Sequence, residues 1–181
     1  MRLFTGIPVT DSFAKPARDL ASANANVRDI RWVPGNNLHI TACFIGDTDS
    51  NQLTAIRQTI RDAVRIASPV SLTLDKICLW PSREPYMVWA LFAQNEVISR
   101  LFQELEVGLT GRDEKNVFKP HITLARFKPW SSYKNLDLNK IQFPLTQVAN
   151  QLVLYESRLS PQGSSYYELA RFPFGALTPN P

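Results

Sequence analysis

The sequence NLHITACFIG at residues 37–46 has a near copy later in the chain, KPHITLARF at residues 119–127. Branched and aromatic residues dominate both stretches, which predicts two β-strands. Each contains a His-x-Thr motif, beginning at His39 and at His121, and these are the only two histidines among the 181 residues. Because side chains alternate between the two faces of a strand, each histidine should share a face with Thr41 or Thr123.

Strict alternation also sorts the neighbours of these motifs into two faces. In the first copy, one face carries His39, Thr41, Cys43 and Ile45, and the core face carries Leu38, Ile40, Ala42 and Phe44. In the second copy, Ile122 and Leu124 point into the core. Alternation places Arg126 on the face opposite Thr123, so a role for Arg126 beside Thr123 requires a bulge or a strand end.

Hydrophobic periodicity and turn residues predict the remaining elements. Strands are expected at 2–8, 37–45, 70–80, 86–93, 120–127, 140–146, 149–159 and 166–172, and helices at 12–24, 49–67 and 95–109, the last ending near Gly111. Two or three helices on a larger amount of sheet predict an α+β fold. No Gly/Ser linker interrupts the chain, so residues 1–181 are expected to form one domain.

Composition limits the classes of function. Hydrophobic residues make up 44% of the chain and charged residues 20%, with a net charge of +4, which suits a globular protein with an anionic ligand. The two cysteines, Cys43 and Cys78, form no C-x-x-C motif, and no signal peptide or membrane-spanning stretch is found. We expect a cytoplasmic monomer with no membrane partner.

The two motifs together predict acid–base chemistry on a small anion. One neutral imidazole can accept a proton while the other, protonated, donates one, and the hydroxyls can hold phosphoryl oxygens. Rates should follow a bell with its maximum near neutrality. A single His-x-Thr would usually be an ordinary strand feature, and a metal site would need more ligands than two imidazoles. No nucleophile elbow, P-loop or dinucleotide fingerprint occurs.

The sequence resembles the 2H phosphoesterase superfamily, and within it the RNA 2′,3′-cyclic phosphodiesterases first described as 2′-5′ RNA ligases. The matching segments are RLFTGIP at 2–8, NLHITACFIG at 37–46, KPHITLARF at 119–127 and YESRLSPQGSSYYELARFPF at 155–174. The resemblance implies a bilobal fold, with two pseudo-symmetric lobes whose antiparallel sheets face a central groove and whose helices lie outside. Ala42 and Cys43 depart from the usual pattern of the first motif, which concerns packing more than chemistry.

Roles for particular residues follow from this resemblance. His39 and His121 are implied to transfer protons. Neither the resemblance nor the sequence decides which of them is the acid, and as a hypothesis to be tested we take His39 as the acid and His121 as the base. Thr41 and Thr123 are implied to bind the phosphate, and Arg126 to contact the phosphate or the RNA. Phe4, Trp32 and Tyr166 are candidates for stacking on the terminal base. No cofactor and no metal are implied.

The implied activity is hydrolysis of RNA 2′,3′-cyclic phosphate ends to 2′-phosphomonoesters, with a reversible 2′-5′ RNA ligase reaction at the same site. The implied partners are therefore RNA ends. Two alternatives stay open: a phosphodiesterase for a small cyclic nucleotide-type phosphate, and a nucleotide- or RNA-binding module of the same fold without turnover.

Overall fold

Nine β-strands and three α-helices form the described part of the computed structural model, which covers residues 1–113, 118–139, 141, 145–160 and 163–175. The helices are α1 (Asp11–Ala23), α2 (Leu53–Arg65) and α3 (Glu96–Thr110). The strands are β1 (Arg2–Pro8), β2 (Ile30–Trp32), β3 (His39–Asp47), β4 (Val70–Trp80), β5 (Met87–Phe92), β6 (His121–Phe127), β7 (Thr146–Ala149), β8 (Gln151–Ser160) and β9 (Gly163–Pro173).

The strands form an antiparallel sheet in the order β7-β4-β5-β6-β3-β1-β8-β9, and β2 pairs with β6. A single antiparallel residue pair, Ile40 with Ile122, joins β3 to β6 at the centre of the sheet. Beyond that pair β2 replaces β3 as the neighbour of β6, at residues Ile30–Trp32. The two central strands therefore touch at one point and then separate, which divides the sheet into two halves with a groove between them. This is the α+β fold that the sequence predicts, with one curled antiparallel sheet whose two halves border the groove.

Most predicted elements are confirmed, with shifted ends. Helix α3 begins after Asn95, whose side chain accepts a hydrogen bond from the Ile98 N–H, and ends at Gly111, whose φ of 71° lies in the left-handed region. The helix predicted at 49–67 is shorter, because residues Ser50–Gln52 form a 3-10 turn before α2. Strand β2 was not predicted. Much of the strand predicted at 140–146 lies outside the described residues, and β7 begins at Thr146.

Two β-bulges correct the predicted alternation of faces. In β3, Gly6 of β1 pairs with Thr41 and Thr5 pairs with Cys43, so Ala42 has no partner. In β6, Trp89 of β5 pairs with Thr123 and Val88 pairs with Ala125, so Leu124 has no partner. Each bulge lies three residues after a histidine, and each reverses the alternation that follows it.

The bulges change the predicted positions of two side chains. Phe44 was predicted to lie in the core, but it is 43% exposed and lines the groove, whereas Cys43 is buried. Arg126 was placed opposite Thr123 by alternation, but it lines the same groove as Thr123. Phe44 and Arg126 each lie five residues after a histidine and two residues after a bulge. Equivalent bulges in the two strands therefore turn both side chains towards the groove.

One hydrophobic core lies between the sheet and the helices and contains both central isoleucines, Ile40 and Ile122. A smaller cluster of Phe4, Val153 and Tyr155, with Tyr166 packed against it, lies next to the groove. Among the described residues, no helix is long and apolar enough to cross a membrane.

Candidate active site

The two His-x-Thr motifs meet around the Ile40–Ile122 pair. Both isoleucines are fully buried, so the residues on either side of them point to the opposite face of the sheet, into the groove. Because the strands run antiparallel, His39 lies alongside Thr123, and Thr41 lies alongside His121. The result is a twofold-like rectangle with an imidazole and a hydroxyl alternating at its corners, and all four residues line the groove.

Each imidazole is held by a backbone carbonyl two residues earlier in the chain. The Nδ1 atom of His39 lies 2.7 Å from the Asn37 carbonyl oxygen, and the Nδ1 atom of His121 lies 2.8 Å from the Lys119 carbonyl oxygen. A carbonyl only accepts hydrogen bonds, so Nδ1 carries the proton and donates in both rings. In the neutral form this leaves the Nε2 lone pair of each histidine as the site that exchanges protons.

His39 is enclosed by aromatic rings. Phe4 lies 4.9 Å from it between ring centroids, and Tyr166 meets it edge-on at 5.2 Å. This burial lowers the pKa of His39 to about 4, because a charged imidazolium loses hydration there. The hydrogen bond to the Asn37 carbonyl opposes the lowering, and the nearby charges of His121 and Arg126 add to it.

His121 has a different environment, although its strand position is equivalent. Its ring stacks on Trp89 with 3.6 Å between centroids and 20° between planes, and Trp89 stacks in turn on Trp80 at 4.3 Å. Burial lowers the pKa of His121, with an addition from the Arg126 guanidinium, and the hydrogen bond to the Lys119 carbonyl opposes the lowering. Burial therefore favours the neutral form of both histidines in the ligand-free protein.

The groove has a volume of about 280 Å³. Within the part of the chain that the structure describes, the hydroxyls of Thr41 and Thr123 make no hydrogen bond, so both are available to a ligand. The Arg126 guanidinium makes one contact there, 3.0 Å from the Met87 sulfur, which is a weak acceptor. The groove therefore offers two hydroxyls and the Arg126 guanidinium to an anion, and Arg2 also lines it.

The predicted aromatic residues have three different positions. Tyr166 lines the groove and is partly exposed, so it can contact a ligand. Phe4 also borders the groove, but it is only 2% exposed and packs between His39, Tyr155 and Tyr166. Trp32 is not among the groove-lining residues and packs against the main core, so the structure does not bring it to the two histidines.

Several residues that line the groove were not predicted from the sequence. Phe44 reaches the groove through the bulge at Ala42, and the Arg2 guanidinium lies over the Phe44 ring, 5.0 Å from its centroid. Asn37 also lines the groove, and its side chain donates to the Ser164 carbonyl. No local signal in the sequence marks the bulge that brings Phe44 there, whereas Asn37 could have been suspected from its place two residues before His39.

The described residues contain no group of three or more His, Cys, Asp and Glu side chains that could hold a metal ion. Cys43, the nearest candidate ligand in the sequence, is buried on the core side of β3 rather than beside the two imidazoles. Burial raises the pKa of the Cys43 thiol, which opposes formation of a metal-binding thiolate.

Comparison with known proteins gives a consistent result. The family model described as LigT like Phosphoesterase matches residues 7–89. An RNA 2′,3′-cyclic phosphodiesterase of Thermotoga maritima is 26% identical over 171 residues, covering 92% of this chain and 91% of the relative. An RNA 2′,3′-cyclic phosphodiesterase of Thermus thermophilus is 29% identical over 184 residues, covering 95% and 89%.

A crystal structure of a protein from Thermus thermophilus has the same fold, with a TM-score of 0.81 and 25% identity over 97% of this chain and 98% of that chain. The family match ends before the second motif, but the alignments to the two relatives each cover more than nine-tenths of this chain. The chain is therefore similar to the LigT like Phosphoesterase family over residues 7–89, and to RNA 2′,3′-cyclic phosphodiesterases over most of its length.

Proposed function

We propose that this protein hydrolyses 2′,3′-cyclic phosphate ends of RNA to 2′-phosphomonoesters. The observation that carries the proposal is the pair of histidines whose Nδ1 atoms donate to backbone carbonyls on opposite sides of the Ile40–Ile122 pair. The names of the relatives from Thermotoga maritima and Thermus thermophilus support the substrate class. The two twofold-like lobes act as one domain, and neither a cofactor nor a metal takes part.

The reaction needs a base and an acid on opposite sides of the phosphorus. In our proposal, His121 takes a proton from water as the water oxygen bonds to phosphorus. The bond between phosphorus and O3′ breaks, and His39 gives its proton to O3′. The products are a 2′-phosphate and a 3′-hydroxyl, and the two histidines have exchanged protonation states, which exchange with solvent restores.

The low pKa of His39 makes its imidazolium a strong acid, but the ligand-free protein at pH 7 lacks that proton. The cyclic phosphate carries one negative charge, and its binding beside the two rings favours the charged form of an imidazole. Substrate binding is therefore coupled to uptake of one proton by the histidine pair. His39 therefore becomes protonated when the substrate binds, and it can then donate this proton to O3′.

The hydroxyls and Arg126 stabilise the phosphoryl oxygens. Thr41 and Thr123 lie alongside the two histidines and have unused donors, so each can donate to a non-bridging oxygen as negative charge grows there. Arg126, delivered by the bulge at Leu124, adds a guanidinium that also suits the RNA backbone. In this proposal Phe4 supports the His39 ring, whereas Tyr166 and Phe44 offer ring surface to the terminal nucleotide.

The same site can join RNA ends by the same ring opening with a different nucleophile. A 5′-hydroxyl takes the place of water, its oxygen bonds to phosphorus, and the bond to O3′ breaks. The product is a 2′-5′ phosphodiester with a free 3′-hydroxyl, and no energy source is consumed because the ring opening replaces one ester bond with another. We therefore propose 2′-5′ ligation as a side reaction, favoured by high concentrations of 5′-hydroxyl ends.

The test is incubation with an oligonucleotide that ends in a 2′,3′-cyclic phosphate, with the products resolved by the position of the phosphate. The expected product is the 2′-phosphate, formed by the native protein and not by the His39→Ala or His121→Ala proteins. A 3′-phosphate product would contradict the proposed mechanism. Faster turnover of mononucleoside cyclic phosphates would favour a small-molecule enzyme, and binding without turnover would favour a binding module.

A further inference from the structure

The surroundings of the two histidines differ at one equivalent position, which is the residue that pairs with the threonine of each His-x-Thr motif. The cross-strand partner of Thr41 is Gly6, and the cross-strand partner of Thr123 is Trp89. A Cβ atom at Gly6 would lie only 3.0 Å from the Ile40 carbonyl oxygen and 3.2 Å from Cδ2 of His39, so a side chain there would have to push the His39 ring or the strand aside. At Trp89 the second lobe instead places an indole flat against the imidazole.

We propose that Trp89, backed by Trp80, is a positioning residue that holds the His121 ring face-on and stabilises its imidazolium form. The stack has nearly parallel planes and a 3.6 Å centroid separation, which puts the electron-rich indole face directly under the ring that gains charge. Trp80 lies under the other face of Trp89 at 12°, so the indole cannot tilt away. This inference rests on the proposed function, in which His121 becomes charged as it accepts the proton.

The indole nitrogen supports this interpretation. Trp89 is 9% exposed, and its Nε1 atom is buried without a hydrogen-bond partner among the described residues. A buried N–H without a partner is costly, and a phenylalanine would avoid that cost. The N–H of Trp89 is not used there, so hydrogen bonding does not explain why tryptophan occupies this position. Tryptophan differs from phenylalanine in its larger aromatic face, which attracts a cation most strongly.

Of the charged groups near His121, the Arg126 guanidinium opposes its protonation. Arg126 approaches from its own strand, and His39 lies across the groove. Lys119 holds the ring through its carbonyl, and its ammonium lies over the outer face of Trp80, 4.9 Å from the centroid. Glu106 of α3 lines the cavity behind the ring. Glu96 and Glu104 also line this cavity, and of all these groups the Trp89 indole is the one stacked directly on the imidazole.

The test compares Trp89→Phe with Trp89→Leu. Both substitutions remove the indole and leave similar space, but only Phe keeps an aromatic face. NMR titration follows the pKa of His121 in each protein, with the resonances of the two histidines assigned from the His39→Gln protein. The Phe protein should have the higher pKa and a kcat greater by on the order of threefold to thirtyfold. The pKa of His39 should stay within error in both.

Equal pKa values for His121 in the two proteins, or a higher value in the Leu protein, would overturn the proposal and leave Trp89 with a packing role. Trp130→Leu, at a tryptophan that is 71% exposed, controls for loss of any indole and should change neither quantity. If a Trp89 variant does not fold, protein grown with fluorinated tryptophans keeps the shape and weakens the face. The His121 pKa should then fall with each added fluorine, and a constant value would contradict us.

The NMR measurement does not depend on turnover. If the RNA substrate proved wrong, the difference between the Phe and Leu proteins in the His121 pKa would still decide the role of Trp89. Conversely, a normal rate of cyclic phosphate opening with equal pKa values would reject the role of Trp89 and leave the proposed function intact.

Discussion

The aromatic enclosure of His39 has a consequence for stability that can be measured without a substrate. The pKa of His39 is about 4 in the folded protein and about 6.5 in an unfolded chain. Between these values the unfolded state binds the proton and the folded state does not, so acid favours unfolding. The neutral ring therefore contributes stability that is fully present above pH 6.5 and is lost as the pH falls towards 4.

The size of the effect follows from the shift. A difference of about 2.5 pKa units at about 1.4 kcal/mol per unit gives a loss of about 3 kcal/mol between pH 6.5 and pH 4. In the His39→Gln protein this loss should be absent, because glutamine does not titrate. The variant loses ring contacts with Phe4 and Tyr166 at every pH, so its stability is offset, but the offset should shrink in acid.

Urea unfolding at half-unit intervals from pH 4 to pH 8 gives the free energy of unfolding of both proteins. The two curves should run parallel above pH 7 and approach each other by about 3 kcal/mol at pH 4. His121 and the carboxylates titrate in both proteins, so their contributions cancel in the difference. Curves that stay parallel down to pH 4 would show that His39 titrates normally and that the enclosure does not desolvate it.

Three further predictions concern catalysis. Thr41→Ala and Thr123→Ala should each lose about 2–4 kcal/mol of transition-state stabilisation, measured from kcat/KM. The corresponding Thr→Ser proteins keep the hydroxyl and should keep most of the rate. Wild-type rates in both Ala proteins would show that the hydroxyls take no part in the mechanism. Because burial lowers the pKa of both histidines, the bell for kcat/KM should have its maximum below pH 6.5 rather than near neutrality, and a rate that keeps rising above pH 8 would contradict two-histidine catalysis. Activity should survive exhaustive dialysis against EDTA, and loss that zinc or manganese restores would refute metal independence.

The sequence predicted the strands that carry the two motifs and the α+β class, because period-two patterns and branched residues are local properties. It also predicted which face carries His39 and Thr41, and which carries His121 and Thr123, since both pairs lie before the bulges. After Ala42 and Leu124 the same reasoning failed, and it misplaced Phe44 and Arg126. A bulge depends on the pairing partner, and a single sequence does not show which strand that is.

The partners of the histidines were harder to predict than the histidines themselves. Trp89 lies 32 residues before His121, and nothing in the run YMVWALFA distinguishes a stacking indole from a core residue. Trp32 shows the opposite error, an aromatic residue predicted at the site that packs in the core. The short strand β2 that carries Trp32 has too few residues for any period to be recognised.

The central claim is that the two histidines have distinct roles in one proton-transfer pair. The direct measurement uses a 2′,3′-cyclic phosphate whose 3′-oxygen is replaced by sulfur, a leaving group that scarcely needs protonation. Rates are compared for the His39→Ala and His121→Ala proteins on the oxygen and sulfur substrates. We expect the His39→Ala protein to regain much of its rate on the sulfur substrate, while the His121→Ala protein does not. Rescue of both proteins, or of neither, would contradict the assignment of an acid and a base.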